Sequence, residues 1–354
     1  MLKYDQIISG LKVEVNNGNI KEIINSDGRI LYDYTRECQF NKNWNYFTKI
    51  ARGLVVDSNN KIIFWNLPKF LNYSELEYKA PNGVFLVQEK IDGSLGLAHY
   101  FNGRWYISTR GSFTSDQSLW ATEWLHKYGP INNLNPNFTY IFEIIFPSNK
   151  IVVDYKGWEG LYLLTIFDII SGKELSIEYT SSIFRYFDST KFKLPKIYNY
   201  SSLEECCQIV DTFDHNQEGF VVRYLSDNYR IKIKGKQYLR IHKIKDRITP
   251  LGVWELMYSG DSIQDVRKLL PEELLSDFDV IHNKILLKEI SELEKASNWV
   301  LDNLLLDKKE FAIALQAVDV DFNKSTAFML FNGKSSHEVK KKILWSLRPT
   351  GNIL

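Results

Sequence analysis

The sequence predicts an α+β fold, with an antiparallel-β-rich domain over residues 1–245 and a small all-helical domain over 246–354. Two observations predict the first part. Aromatic and β-branched runs are joined by turn dipeptides, and near-continuous apolar runs have the length of buried strands. One observation predicts the second. Beyond residue 246 the apolar residues recur at helical spacing, with charges between them.

The elements follow in order. Val84-Phe85-Leu86-Val87 reads as a strand. Leu95–Phe101, the turn Asn102-Gly103 and Trp105–Thr109 read as a hairpin, because Asn-Gly supplies the left-handed backbone of a two-residue turn. Ser115–Tyr128 reads as a helix, with Trp120, Trp124 and Leu125 on one face. Tyr140–Phe146 and Leu161–Ile170 read as buried strands. Phe220–Leu225, the turn 226–228 and Tyr229–Ile233 form a second hairpin. Ser262 and Asp265 frame a capping box before Val266–Leu270. Phe278, Ile281, Ile285, Leu286, Ile290, Leu293, Val300 and Leu304 mark a long helix. Lys308–Val318 and His337–Leu347 complete the helical part.

At 354 residues the chain accommodates one large or two ordinary domains. Its 44% hydrophobic and 25% charged residues are those of a soluble globular protein. No apolar run has the length of a membrane helix, and the N-terminus lacks a signal peptide's apolar core. Cys38, Cys206 and Cys207 offer neither a disulfide framework nor metal-ligand spacing, so a reducing cytoplasm is expected. A net charge of +1 excludes a uniformly basic coat, and any nucleic-acid surface must be local. One basic segment stands out: Arg230, Lys232, Lys234 and Lys236, then Arg240, His242, Lys243, Lys245 and Arg247. The first four alternate, which puts them on one strand face, where like charges repel and a polyanion is expected.

Residues 89–97 read Glu-Lys-Ile-Asp-Gly-Ser-Leu-Gly-Leu. Lys90 ends a strand on a tight turn, with Asp92 two residues on and Gly93-Ser94 behind it. Asp-Gly turns are common, so the segment by itself fits an ordinary surface hairpin as well as a nucleophile. A free lysine has a pKa near ~10.4 and is almost wholly protonated at neutral pH. A nucleophilic lysine must lose that proton, and neighbouring cations promote the loss. Gly93 suits either a positive φ or a close backbone approach.

The Lys90-Ile-Asp92-Gly93-Ser94 string resembles the signature of the covalent nucleotidyltransferases, the ATP-dependent ligases and capping enzymes. Four further segments follow that pattern in order: Arg52-Gly53, Phe142-Glu143, Glu218-Gly219 and Lys232-Ile-Lys234. Pro68-Lys69-Phe70, Thr109-Arg110-Gly111-Ser112 and Phe146–Tyr155 narrow the resemblance to the phage-type RNA ligase 1 family, over roughly residues 30–245. The resemblance implies an ATP-grasp-like nucleotidyltransferase domain. It implies that Lys90 attacks the α-phosphorus of ATP and carries AMP as a phosphoramidate. AMP then passes to an RNA 5′-phosphate, and a 3′-hydroxyl displaces it.

By the same resemblance, Lys232 and Lys234 contact the α-phosphate, and Glu218 and Glu143 serve the ribose and a metal, Mg²⁺ or Mn²⁺, largely through water. Arg52, Lys69 and Arg110 meet the phosphates. Arg110 stands where the family commonly has lysine, and an arginine's planar fork is not a lysine's point charge. Glu89, Asp92, Gly93 and Gly219 belong to the nucleotide-binding set, with Asp92 ordering the turn. Tyr34 is the candidate adenine-stacking residue, against simple core packing. Leu71 replaces an expected second aromatic after Phe70. The implied substrate is RNA with 5′-phosphate and 3′-hydroxyl ends, chiefly broken tRNA selected by the helical domain. No membrane and no obligate protein partner are implied, and the setting is cytoplasmic, host cytoplasm for a phage.

Two other readings fit parts of the sequence. A DNA ligase or GTP-using capping enzyme shares the chemistry but needs a downstream OB-fold. A non-catalytic RNA-binding module explains the basic segment but not Lys90, Glu143 and Glu218 together.

Overall fold

The computed structural model describes residues 3–76, 80–146, 151–245, 248–270 and 272–350. Helix α1 (Tyr4–Asn16) precedes a four-stranded antiparallel sheet of β1 (Ile20–Ile24), β2 (Ile30–Tyr34), β3 (Arg52–Val56) and β4 (Ile62–Phe64), in that spatial order. Short helices α2 (Arg36–Phe40) and α3 (Tyr46–Ile50) fill the β2–β3 connection. Thr35 and Asn45 cap them through their side chains.

Two five-stranded sheets follow. The chain supplies β5 (Leu71–Asn72), β6 (Phe85–Glu89), β7 (Ser94–Phe101), β8 (Arg104–Thr109), α4 (Asp116–Tyr128), β9 (Phe138–Ile145) and β10 (Gly160–Asp168). It continues with α5 (Ile177–Phe184), β11 (Phe192–Lys193), β12 (Ile197–Tyr198), α6 (Leu203–Asp211), β13 (Gly219–Tyr224) and β14 (Arg230–Lys234). One sheet has the order β11-β10-β9-β7-β8, the other β12-β6-β13-β14-β5. Most pairs are antiparallel, and β10–β11 and β14–β5 are parallel.

The expected hairpins form. Asn102 and Gly103 have φ of 46° and 82°, the left-handed pair that a tight β7–β8 turn needs. The α4 helix starts where Ser115 accepts from Ser118 N, and it buries Trp124 and Leu125 against the β7–β9 sheet. A first core joins α1 and the four-stranded sheet to Leu97, Ile141 and Phe167. Another packs α6, through Cys206 and Val210, on Val87, Phe220 and Val222.

The chain divides into two compact units, residues 1–239 and 240–354, and the division falls within α7 (Lys236–Lys245). The second unit is helical among the described residues: α8 (Pro250–Ser259), α9 (Ile263–Leu269), α10 (Glu272–Asp302), α11 (Lys308–Ala317), α12 (Lys324–Phe331) and α13 (Ser336–Ser346). Ser262 caps α9 by accepting from Asp265 N. The face that α10 buries carries Phe278, Ile285, Ala296 and Val300, separated by about two, three and one turns. Ile290, Leu293 and Leu304, expected on the apolar stripe, are exposed instead. Among the described residues no helix is long and apolar enough to cross a membrane.

Candidate active site

Lys90 lies on the link that carries the chain from β6 in one sheet to β7 in the other. Its N–H donates to Gly219 O at 2.9 Å. Asp92 is buried and pins the turn. Its Oδ2 accepts from Val152 N at 2.8 Å and Val153 N at 2.9 Å, and its Oδ1 accepts from the Tyr238 hydroxyl at 2.7 Å. Its own N–H donates to the Tyr155 hydroxyl at 2.8 Å. A carboxylate so engaged orders backbone.

Gly93 donates to Glu143 Oε1 at 3.2 Å. It is not among the glycines with positive φ. A side chain there would strike the Ile144 carbonyl oxygen and come within 2.9 Å of Ile145 Cδ1. Of the two reasons for a glycine, close backbone approach is the operative one. Gly219 is different, since its φ is +142° and a side chain would collide with the Ile233 carbonyl.

Glu218 organises the charges. Lys90 Nζ donates to its Oε2 at 2.7 Å, and Lys234 Nζ lies 2.8 Å from its Oε1. Burial pushes the Glu218 carboxyl up, but Lys90 and Lys234 outweigh burial and leave it below the usual carboxylate range. Burial likewise pulls the Lys90 ammonium down, yet Glu218 and Glu143 more than reverse this. Lys90 is therefore held protonated, contrary to the expectation that adjacent cations lower it. The lysine that is lowered is Lys232, brought to about 7 by burial and then by Lys69, Lys234, Lys90 and Arg52. Glu143 is pushed up to about 7, chiefly by burial, with Glu218 adding to the rise.

The remaining cations gather on one side of Lys90. Arg52 and Lys232 each lie 5.8 Å from the Phe70 ring. Lys69 Nζ lies 5.4 Å from the Tyr34 ring and 5.1 Å from Trp44. The Arg110 guanidinium lies 4.7 Å from the same Tyr34 ring. Tyr34 is thus buried beneath cations and meets Trp44 edge-on at 5.0 Å. Elsewhere around the turn opens a cavity of about 510 Å³, lined by Glu89, Tyr155, Tyr162, Lys193, Lys196 and Asn216 among others.

The basic strand is not the bare positive face that alternation suggested. Arg230 is buried and paired with Glu174, Lys234 with Glu218, and Lys236, already in α7, with Asp211. The side chains of Lys243, Lys245 and Arg247, and residues 147–150 of the segment after Glu143, lie outside the described residues. Sequence reasoning passed over Tyr238, Tyr155 and Asp33. The only signal for Tyr238 is its place four residues after Lys234 in a basic stretch. Among the described residues no group of three or more His, Cys, Asp or Glu is arranged to hold a metal. Glu218 is committed to two lysines, which leaves Glu143 as the carboxylate beside Lys90 suited to a hard cation whose other ligands are water and phosphate oxygens.

An RNA ligase of Rhodothermus phage RM378 is 26% identical, covering 74% of this chain and 77% of its own. A proposed bifunctional polynucleotide kinase/RNA ligase of Autographa californica nuclear polyhedrosis virus is 25% identical over 69% of this chain, which spans 39% of that protein. A Naegleria gruberi RNA ligase solved with pyrophosphate is 22% identical over 45% of this chain and 52% of its own, with a TM-score of 0.38. Residues 50–238, more than half of the chain, match the RNA ligase family and contain every candidate site residue expected from the sequence except Tyr34. The chain therefore belongs to the phage-type RNA ligase 1 family.

Proposed function

We propose that the chain is an ATP-dependent RNA ligase that joins 5′-phosphate to 3′-hydroxyl RNA ends. The observation that carries this reading is Lys90 Nζ, 2.7 Å from a buried Glu218 that also holds Lys234. That clamp fixes one amine at the edge of a cluster of cations, the arrangement that attack on a nucleotide α-phosphorus requires.

Lys90 gives up its ammonium proton, and its lone pair attacks the α-phosphorus. The bond to the bridging oxygen breaks, pyrophosphate leaves, and AMP remains on Nζ as a phosphoramidate. A 5′-phosphate oxygen of RNA then displaces Lys90 and forms a 5′-5′ pyrophosphate. A 3′-hydroxyl attacks the RNA phosphorus, AMP leaves, and a phosphodiester closes. Lys232, Lys234, Arg52, Lys69 and Arg110 take the phosphates. Glu143 takes the ribose, Glu89 borders the cavity beside the turn, and Gly219 completes the nucleotide-binding set. Glu143 would hold a Mg²⁺ or Mn²⁺ ion, which would supply positive charge beside Lys90 and the phosphates.

The substrate we infer is broken tRNA, met in a reducing host cytoplasm that suits the free thiols of Cys38, Cys206 and Cys207. The helical unit is the inferred RNA-selecting part. Trp345 is 53% exposed there, with Arg348 5.7 Å from its ring and Lys341 5.8 Å from Tyr258. The unit that follows directly is helical, whereas DNA ligases and capping enzymes need a downstream OB-fold.

The test is covalent labelling with [α-³²P]ATP, followed by a panel of broken tRNA, single-stranded RNA and nicked DNA. Lys90→Ala is expected to take no label, and undiminished labelling of that variant sinks the assignment.

A further inference from the structure

Arg110 follows β8 at a turn closed by Thr109 N donating to Ser112 O at 2.9 Å. Consecutive residues of β2 hold its guanidinium at two points. Nε lies 3.2 Å from Asp33 Oδ1, and Nη1 donates to the Tyr34 hydroxyl at 2.8 Å. Asp33 is fully buried, at the place where the β2–β3 register shifts between Tyr32 and Asp33. Its Oδ2 lies 3.4 Å from Lys21 Nζ, the residue directly opposite on β1. Neither Asp33 oxygen has a well-aligned hydrogen bond, so the two cations are what compensate the buried charge.

A guanidinium is a rigid plane. Fixing Nε and Nη1 fixes the direction of its remaining N–H edge, whereas an ammonium on a flexible stem has no plane to fix. The Arg110 side chain is 44% exposed, so that edge is open to a ligand while the anchored edge is not.

We propose that Asp33 is a positioning residue for nucleotide transfer: it sets the plane in which Arg110 meets the nucleotide phosphates. The proposal rests on the ligase reading above. Asp33 touches no reacting atom and acts only through the arginine. Its contribution therefore vanishes when the residue at 110 has no plane.

The test is a double-mutant cycle of Asp33→Asn and Arg110→Lys in the full chain, reading initial rates of lysyl-adenylate formation against ATP concentration. Asp33→Asn is expected to raise the half-saturating ATP concentration about tenfold, with the limiting rate changed less than about twofold. In the Arg110→Lys background the same substitution is expected to change it less than about twofold. Tyr34→Phe removes the second anchor without disturbing a buried charge. It should act in the same sense and show the same dependence on Arg110, so the test survives if Asp33→Asn fails to fold. Equal effects in both backgrounds overturn the positioning role while leaving the ligase reading intact. A wild-type protein that takes no label from ATP overturns the ligase reading, and this proposal with it.

Discussion

Glu218→Gln removes the charge on which two lysines depend while keeping the side chain's size. Lys90 and Lys234, 20% and 18% exposed, would be left facing a neutral amide. Removing one partner of a buried ion pair costs about 3–5 kcal/mol, and the partial exposure of the lysines puts the expected cost near the lower end, about 3 kcal/mol. For a unit the size of residues 1–239 this lowers Tm by roughly 6–12 °C. The difference depends on pH in a defined direction. The folded protein holds the Glu218 carboxyl below its ordinary value, so its stabilisation is present above about pH 4.3 and is lost as pH falls through the lowered value. Wild type and variant should therefore converge in acid. The variant also changes Lys90. With Glu218 neutral, the largest influence holding the proton is gone while burial still opposes the charge, so the ammonium is lost more readily than in wild type. Pre-steady-state labelling from pH 5 to 10 is expected to show the Lys90 limb displaced to lower pH, beneath a maximal rate reduced about a hundredfold by lost positioning. An unmoved limb, or a limb moved to higher pH, would refute the account of how Lys90 is held. So would an unchanged Tm at neutral pH.

Two further outcomes are expected. Lys232 is lowered to about 7 in the folded protein, so below its unfolded value the charge opposes folding, and the opposition is complete below about pH 7. Lys232→Met should raise Tm by a few °C at pH 6, with the gain shrinking toward pH 10, while labelling is severely reduced; a lower Tm at pH 6 contradicts the assigned cause. Gly93→Ala should destabilise by about 1–3 kcal/mol, because the added carbon meets the Ile144 carbonyl, and should slow labelling. Denaturant unfolding indistinguishable from wild type would show that the turn tolerates a side chain.

Features that depend only on neighbours along the chain were legible in the sequence. The Asn102-Gly103 turn, the Ser115–Tyr128 helix and the hairpin of β13 and β14 are local matters of dihedral preference and periodicity, and they are where they were expected. The order of Arg52, Lys90, Glu143, Glu218 and Lys232 was also legible, through the resemblance to the nucleotidyltransferase motifs, each of which falls on or beside a strand. Only the tertiary structure decided the states of these groups. Glu218 reaches Lys90 across 128 positions, and Tyr238 reaches Asp92 across 146. Proton affinity depends on the charges and solvent within a few ångströms, whatever their distance along the chain. That is why Lys90 is protonated although cations stand near it, why Lys232 is the lysine that is lowered, and why Arg230 lies buried against Glu174. The long helix makes the same point, since helical spacing placed Ile290 and Leu293 among its apolar residues, but which face is covered depends on the helices packed around it.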